Sequence, residues 1–184
     1  LLKAVKQFMD IKYQESDINR YSEDDIRRHR LTNYATLIAI LNMVGYGLLY
    51  IILDIQLFLP SIIFLYSCAV LAFLIIYINK SGHYNLSKVL ASLLITLSML
   101  ITAVFLFEKE TEFHVFLLLS AIIPLFLWSF KTRIWHFVFI PLNIVLYLLI
   151  GFNPPFFEAK IVLPEEYIKF FSATNIIACF GGAG

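Results

Sequence analysis

Asn42, Asn143 and Asn175 each stand deep within a long apolar stretch of this chain. An amide in such surroundings is costly unless it finds a partner. Two roles fit the residue type. The amides could orient a small molecule in an apolar pocket, or they could hydrogen-bond between helices; the second is the simpler reading. A different chemistry is suggested by Glu108, Glu110, Glu112 and His114, with Asp54, Glu165 and Glu166 at the same level. Carboxylates and an imidazole suit a divalent cation. Their spacing lacks the tightness of a ligand set, and a solvated acidic face accounts for them. The sequence therefore gives no metal site. His29, His83 and His136 lie at one end of the apolar stretches and His114 at the other. A membrane haem needs two histidines at one depth on facing helices, and this distribution does not supply them. There is no Ser-His-Asp pattern, no His-Glu-x-x-His and no glycine-rich phosphate loop, so neither a catalytic residue nor a cofactor is expected.

Aromatic side chains gather near the acidic level, among them Tyr50, Phe58, Phe113, Phe116, Tyr167 and Phe171. Such residues form interfacial belts. They can also wall an apolar pocket whose orienting groups are the amides beneath. The candidate ligand-binding residues are accordingly Asn42, Tyr50, Phe116, Asn143, Phe171 and Asn175.

These residues are carried by six apolar stretches: 34–53, 58–78, 89–107, 114–130, 134–152 and 168–184. Each approaches the roughly 20 residues that a helix needs to cross a bilayer core. Hydrophobic residues make up 60% of the 184, too many for a soluble chain of this length to bury. The mean hydropathy of +0.82 agrees. The fold class expected is an all-α integral membrane protein, a six-transmembrane helix bundle with a short amphipathic cytoplasmic helix at the N-terminus. Residues 1–30 form the cytoplasmic segment and 31–184 the membrane domain.

Charge sets the orientation. Eleven of the fourteen Lys and Arg fall before the first stretch or in the loops after the second and fourth. The positive-inside rule puts those segments in the cytoplasm. Both termini are then cytoplasmic, in a bacterial inner membrane, and the outer face is acidic. The net charge of +1 gives no reason to expect nucleic acid as a partner. No ionisable residue sits near the middle of a stretch, which argues against proton pumps, ion-coupled transporters and voltage sensors. The two halves do not repeat each other, which argues against an inverted-repeat transporter.

Local signals complete the outline. Leu1, Val5, Phe8 and Met9 share one helical face, suited to a lipid surface or to packing on another domain. Ser22-Glu23-Asp24-Asp25 reads as a capping box opening a helix that runs into the first stretch. A turn at 54–57 makes a hairpin of the first two helices, and 79–87 is a connector. Pro124 and Pro141 mark mid-helix kinks. The apolar residues of 153–169 fold back over the outer end of the bundle. Cys68 and Cys179 are packing residues. The first stretch is too long, and lies too far along the chain, for a cleaved signal peptide. The last stretch is shorter than a full span, so the chain is expected to be part of a larger protein. Gly181-Gly182-Ala183-Gly184 permits close helix approach.

The arrangement resembles the six-helix sensor modules that precede class III adenylate cyclases and bacterial sensor histidine kinases, the six-helix quorum-sensing kinases included. The likeness lies in Arg27-Arg28-His29-Arg30-Leu31-Thr32-Asn33 entering the first span and Gly82-His83-Tyr84-Asn85-Leu86-Ser87-Lys88 entering the third. It extends to 108–116 between the third and fourth, and to Ser172-Ala173-Thr174-Asn175 in the sixth. The resemblance implies a homodimeric receptor whose sixth helix continues into a cytoplasmic coiled coil and an enzyme, of which these 184 residues carry no motif. A small apolar or amphipathic ligand, or a membrane-derived cue, would bias the bundle, and the sixth helix would lead to a cytoplasmic enzyme. The rival class is a channel or transporter subunit, with Thr96, Ser98 and Thr102 as polar path; a third is a membrane enzyme, which the absence of a catalytic cluster disfavours.

Overall fold

The computed structural model describes residues 22–106, 111, 113–128, 134–152 and 161–181. Its first helix, α1, spans Glu23–Lys80. The Ser22 hydroxyl accepts from the Asp25 N–H at 3.3 Å, and the Asp25 carboxylate accepts from the Ser22 N–H at 3.3 Å. This closes the expected capping box, with Asp25 in the place more often held by Glu. Glu23, Asp24 and Asp25 also complement the positive end of the helix.

Asp54 breaks α1 in two. Its backbone is extended (φ −166°, ψ 104°), and its carboxylate accepts from the N–H groups of Gln56 at 2.9 Å and Leu57 at 3.1 Å. One residue thus ends the first arm and caps the second, where the sequence had suggested a four-residue turn. The arms fold back on each other. Tyr50 stacks on Phe58 near the turn, ring centroids 4.9 Å apart. At the far end the Asn79 amide donates to the His29 carbonyl at 2.8 Å and the Asn33 side chain at 2.7 Å. Between these points Gly47 lets the arms close up. A β-carbon there would stand 3.0 Å from the Tyr66 ring.

Gly82, with φ +90°, ends the second arm. Its N–H donates to the Asn79 carbonyl at 3.2 Å and that of His83 to Ile78 at 3.3 Å, the paired bonds of a Schellman cap. This cap lets α2 begin at once, at Tyr84. Residues 84–87, which the sequence assigned to a connector, are its first turn, and α2 spans Tyr84–Ile101. It continues as a π-helical turn, Thr102–Leu106. A 3₁₀ turn, Phe113–Val115, leads into α3, Phe116–Leu127. Pro124 therefore lies in the last turn of α3 rather than mid-helix, and Trp128 beyond it is extended. The remaining helices are α4, Ile134–Phe152, as expected, and α5, Glu165–Gly181, which starts three residues before the apolar stretch. Ile161 and Leu163 are buried against Tyr50, Phe58 and Phe171, so this part of the outer segment folds back as its composition suggested.

All regular elements among the described residues are helical. Three helical runs are long and apolar enough to cross a membrane: Glu23–Lys80, Tyr84–Val104 and Ile134–Phe152; Phe113–Leu127 is apolar but shorter. The outside of the bundle agrees with lipid as its surroundings, since Ile52 and Phe152 are each 80% exposed and Phe137 74%. Asn33, Thr36, Asn79, Asn143 and Asn175 have turned inward, whereas Asn42 is exposed.

The basic end of the bundle is tied by polar contacts outside the apolar stretches. The Arg28 guanidinium pairs with Asp24 at 2.8 Å and donates to the carbonyls of Leu125, Phe126 and Trp128 at 3.1, 3.3 and 2.6 Å. A cation here satisfies carbonyls that a helix end leaves open. His29 stacks on Tyr84 at 3.9 Å. Lys88 is 3% exposed and its ammonium lies 5.6 Å from the Trp128 ring centroid. Burial pushes the Lys88 pKa down to about 8 and, with Lys88 nearby, that of His29 down to about 4. The hydroxyl of Ser22 holds the Asp25 carboxyl below its ordinary value.

Candidate functional site

A cavity of about 290 Å³ lies between the first arm of α1, α2 and α3. The first arm contributes Ala35, Ile38, Ala39, Asn42, Tyr46 and Tyr50. At 1.5 Å per residue that wall is about 22 Å long. These positions recur every three or four residues, so the helix aims them along one side. Small Ala35 and Ala39 leave the space open. Ile38 and Asn42 are exposed, so the cavity is not sealed along this arm. Across from it stand Ile95, Ser98 and Met99 of α2, Thr102 of the π turn, and Phe116, Leu119, Ser120 and Ile123 of α3. Phe113 stands among them from the 3₁₀ turn, and Leu65 from the second arm of α1.

The walls carry no charge. The hydroxyl protons of Ser98, Thr102 and Ser120 are already used. Ser98 donates to the Ile95 carbonyl at 2.9 Å and Thr102 to the Ser98 carbonyl at 2.8 Å. What these groups offer the cavity is oxygen lone pairs. Asn42 differs, because its amide has no hydrogen-bond partner among the described residues. It supplies two N–H donors and a carbonyl acceptor to an otherwise apolar space. Such a site selects a neutral molecule that is mostly hydrocarbon with one polar group.

Three of the six residues singled out from the sequence line this cavity, namely Asn42, Tyr50 and Phe116. The other three lie elsewhere. Asn143 is a buried knot between helices. Its carbonyl accepts from Thr96 of α2 at 3.2 Å and Ser120 of α3 at 2.5 Å, while its NH₂ donates to the Phe139 carbonyl at 2.8 Å. Asn175 of α5 donates to the Thr111 carbonyl at 2.8 Å and accepts from the Tyr46 hydroxyl at 3.1 Å. Phe171 packs edge-on against Tyr50 at 5.7 Å and Phe58 at 6.0 Å. For Asn143 and Asn175, hydrogen bonding between elements is the arrangement found.

Sequence reading passed over Ala35, Ala39 and Tyr46. The signal was present in the small-and-polar row 35, 39, 42, 46, at helical spacing on one face. Ser120 gave none, since a lone serine in an apolar helix bonds most simply to its own backbone.

The acidic level is dispersed. Asp54 is consumed by the turn, Glu165 pairs with Lys169 at 2.7 Å, and His114 is buried and stacked on Tyr147 at 5.5 Å. Glu108, Glu110 and Glu112 lie outside the described residues, as do 1–21 and Gly182 to Gly184. Among the described residues no three His, Cys, Asp or Glu side chains are grouped to hold a metal ion. Comparison with protein-family models, with curated proteins and with solved structures finds no match for this chain.

Proposed function

We propose that this chain is the membrane-embedded sensor domain of a signalling protein. A small neutral molecule, apolar or amphipathic, occupies the cavity beside Asn42 and biases the packing of the bundle. The cavity is the observation that carries this reading, being uncharged, apolar and supplied with one uncommitted amide. In this reading the chain crosses a bacterial inner membrane six times. The two arms of α1 and helices α2 to α5 are the spans, and both ends are cytoplasmic. Helix α5 passes the change to a cytoplasmic enzyme, an adenylate cyclase or a histidine kinase, within a homodimer. The small-residue run Gly181-Gly182-Ala183-Gly184 of the sequence suits close approach of two copies.

The hydroxyls of Ser98, Thr102 and Ser120 in one wall favour a second reading, a channel or transporter subunit. Two measurements separate them. With a cyclase or kinase reporter joined after Gly184, filling the cavity by Ala39→Phe locks the output at one level. In sealed liposomes the sensor passes no ions or small solutes. An output indifferent to Ala39→Phe, together with solute flux that this change blocks, would replace the sensor with a channel.

A further inference from the structure

Tyr46 belongs to two structures at once. Its ring lines the cavity, and its hydroxyl donates to the Asn175 side chain of α5 at 3.1 Å. A phenol has one proton to give. Asn175 is fully buried, and its NH₂ is committed to the Thr111 carbonyl at 2.8 Å. Among the described residues its carbonyl therefore depends on Tyr46, and a buried acceptor that loses its donor is expensive. Asn42 stands one helical turn before Tyr46 on the same face. Helical side chains lean toward the N-terminus, so a molecule held by Asn42 lies against the Tyr46 ring.

We infer that Tyr46 is the positioning residue that reports cavity occupancy to α5. It does so because its single hydroxyl proton can serve Asn175 or be drawn away by the occupant, but not both. This rests on the sensor reading and names its internal link. With the cavity empty, Tyr46 holds Asn175 and fixes α5 against the first arm. An occupant that displaces the ring or accepts the proton releases Asn175, and α5 settles elsewhere. The neighbouring rings supply the seat. Phe113 packs edge-on against Tyr46 at 6.2 Å and also touches Phe171 of α5 at 5.9 Å. They allow sliding, whereas the hydrogen bond has a direction and two discrete states.

The test follows α5 itself. The chain carries Cys68→Ala and Cys179→Ala, a trifluoromethyl label on Ala173→Cys, and lipid nanodiscs as its environment. Occupancy is imitated by Asn42→Phe, with Ala39→Phe as a second filler should the first fail to fold. The ¹⁹F resonance is expected to move when the cavity is filled. Tyr46→Phe alone, which keeps the ring and removes the proton, should move it in the same direction. Filling the cavity in the Tyr46→Phe background should then add little. Equal shifts on filling with and without the hydroxyl would overturn the role of Tyr46 while leaving the sensor reading in place. No shift in either background would overturn both.

Discussion

Asn42 and Asn143 are the same residue type, each near the middle of its apolar stretch, and the structure gives them opposite fates: Asn42 is exposed and Asn143 fully buried. Replacing each by Leu separates a ligand group from a structural one. Asn143→Leu removes the acceptor for Thr96 and Ser120 and the bond to Phe139. Ser120 has a second acceptor in the Leu117 carbonyl at 2.8 Å, whereas Thr96 is left without a partner among the described residues. Interhelical bonds in membrane proteins are worth about 0.6 kcal/mol each and at most about 1.7. Two such bonds and one orphaned hydroxyl come to about 2 kcal/mol. For a chain of this size that lowers Tm by about 4–8 °C. Asn42→Leu breaks no hydrogen bond with a described residue. It exchanges an uncommitted amide for an apolar side chain, so Tm should hold or rise by a few degrees. Thermal denaturation of both variants in one detergent, followed by helical circular dichroism, reads the difference directly. If Asn42→Leu falls as far as Asn143→Leu, Asn42 is part of the scaffold and the argument for a ligand at that amide fails.

Three further outcomes follow from the geometry. Gly47→Leu places atoms where Tyr66 lies within 3.0 Å of a bare β-carbon; it should cost about 1–3 kcal/mol, and Gly47→Leu with Tyr66→Ala should recover part of that. Burial pushes the Lys88 pKa down from 10.5 to about 8, so the folded chain holds this proton more weakly than the unfolded chain does. At about 1.36 kcal/mol per unit this costs the fold about 3 kcal/mol below pH 8. The cost disappears as pH rises toward 10.5, because the unfolded chain then binds the proton that the folded chain has lost. Lys88→Met should therefore gain about 2 kcal/mol at pH 7 after about 1 is lost with the Trp128 contact, and its advantage should vanish above pH 10; a variant less stable than the parent at pH 7 refutes this. For topology, single cysteines at Gln56 and His83 in intact cells should react with impermeant maleimide from the outside only and the inside only, respectively, and the reverse pattern would invert the proposed orientation.

The sequence displays the elements of this fold clearly where one physical rule acts alone. The capping box at Ser22 and the whole of α4 follow from local chemistry. The helix boundaries that moved did so where rules compete. Hydropathy starts the third stretch at Val89, but the cap at Gly82 lets the helix form as soon as the chain has turned, and polar Asn85 and Ser87 are carried within it. The fourth stretch is apolar to Phe130, yet α3 ends soon after Pro124 and Arg28, far away in sequence, takes over its carbonyls. The candidate site was half legible. An amide in hydrocarbon is expected to face inward, which singled out Asn42, Asn143 and Asn175; Asn143 and Asn175 are fully buried, whereas Asn42 is exposed. Which of them is spent on a neighbour depends on helix rotation and on Thr96, Ser120, Thr111 and Tyr46. A single chain read in order does not show those partners.

The most direct test of a ligand cavity beside Asn42 is photolabelling of the purified chain in nanodiscs with a diazirine-bearing octanol, mapped residue by residue by mass spectrometry. The probe is neutral, largely hydrocarbon and carries one hydroxyl, which is the chemistry the walls select. Adducts should concentrate on Ala39, Asn42, Tyr46, Met99 and Leu119. They should saturate, yield to unlabelled octanol and disappear in Ala39→Phe. Labelling spread over outward-facing Ile52, Phe137 and Phe152, proportional to probe and unaffected by Ala39→Phe, would show only partition into the lipid and would contradict the account.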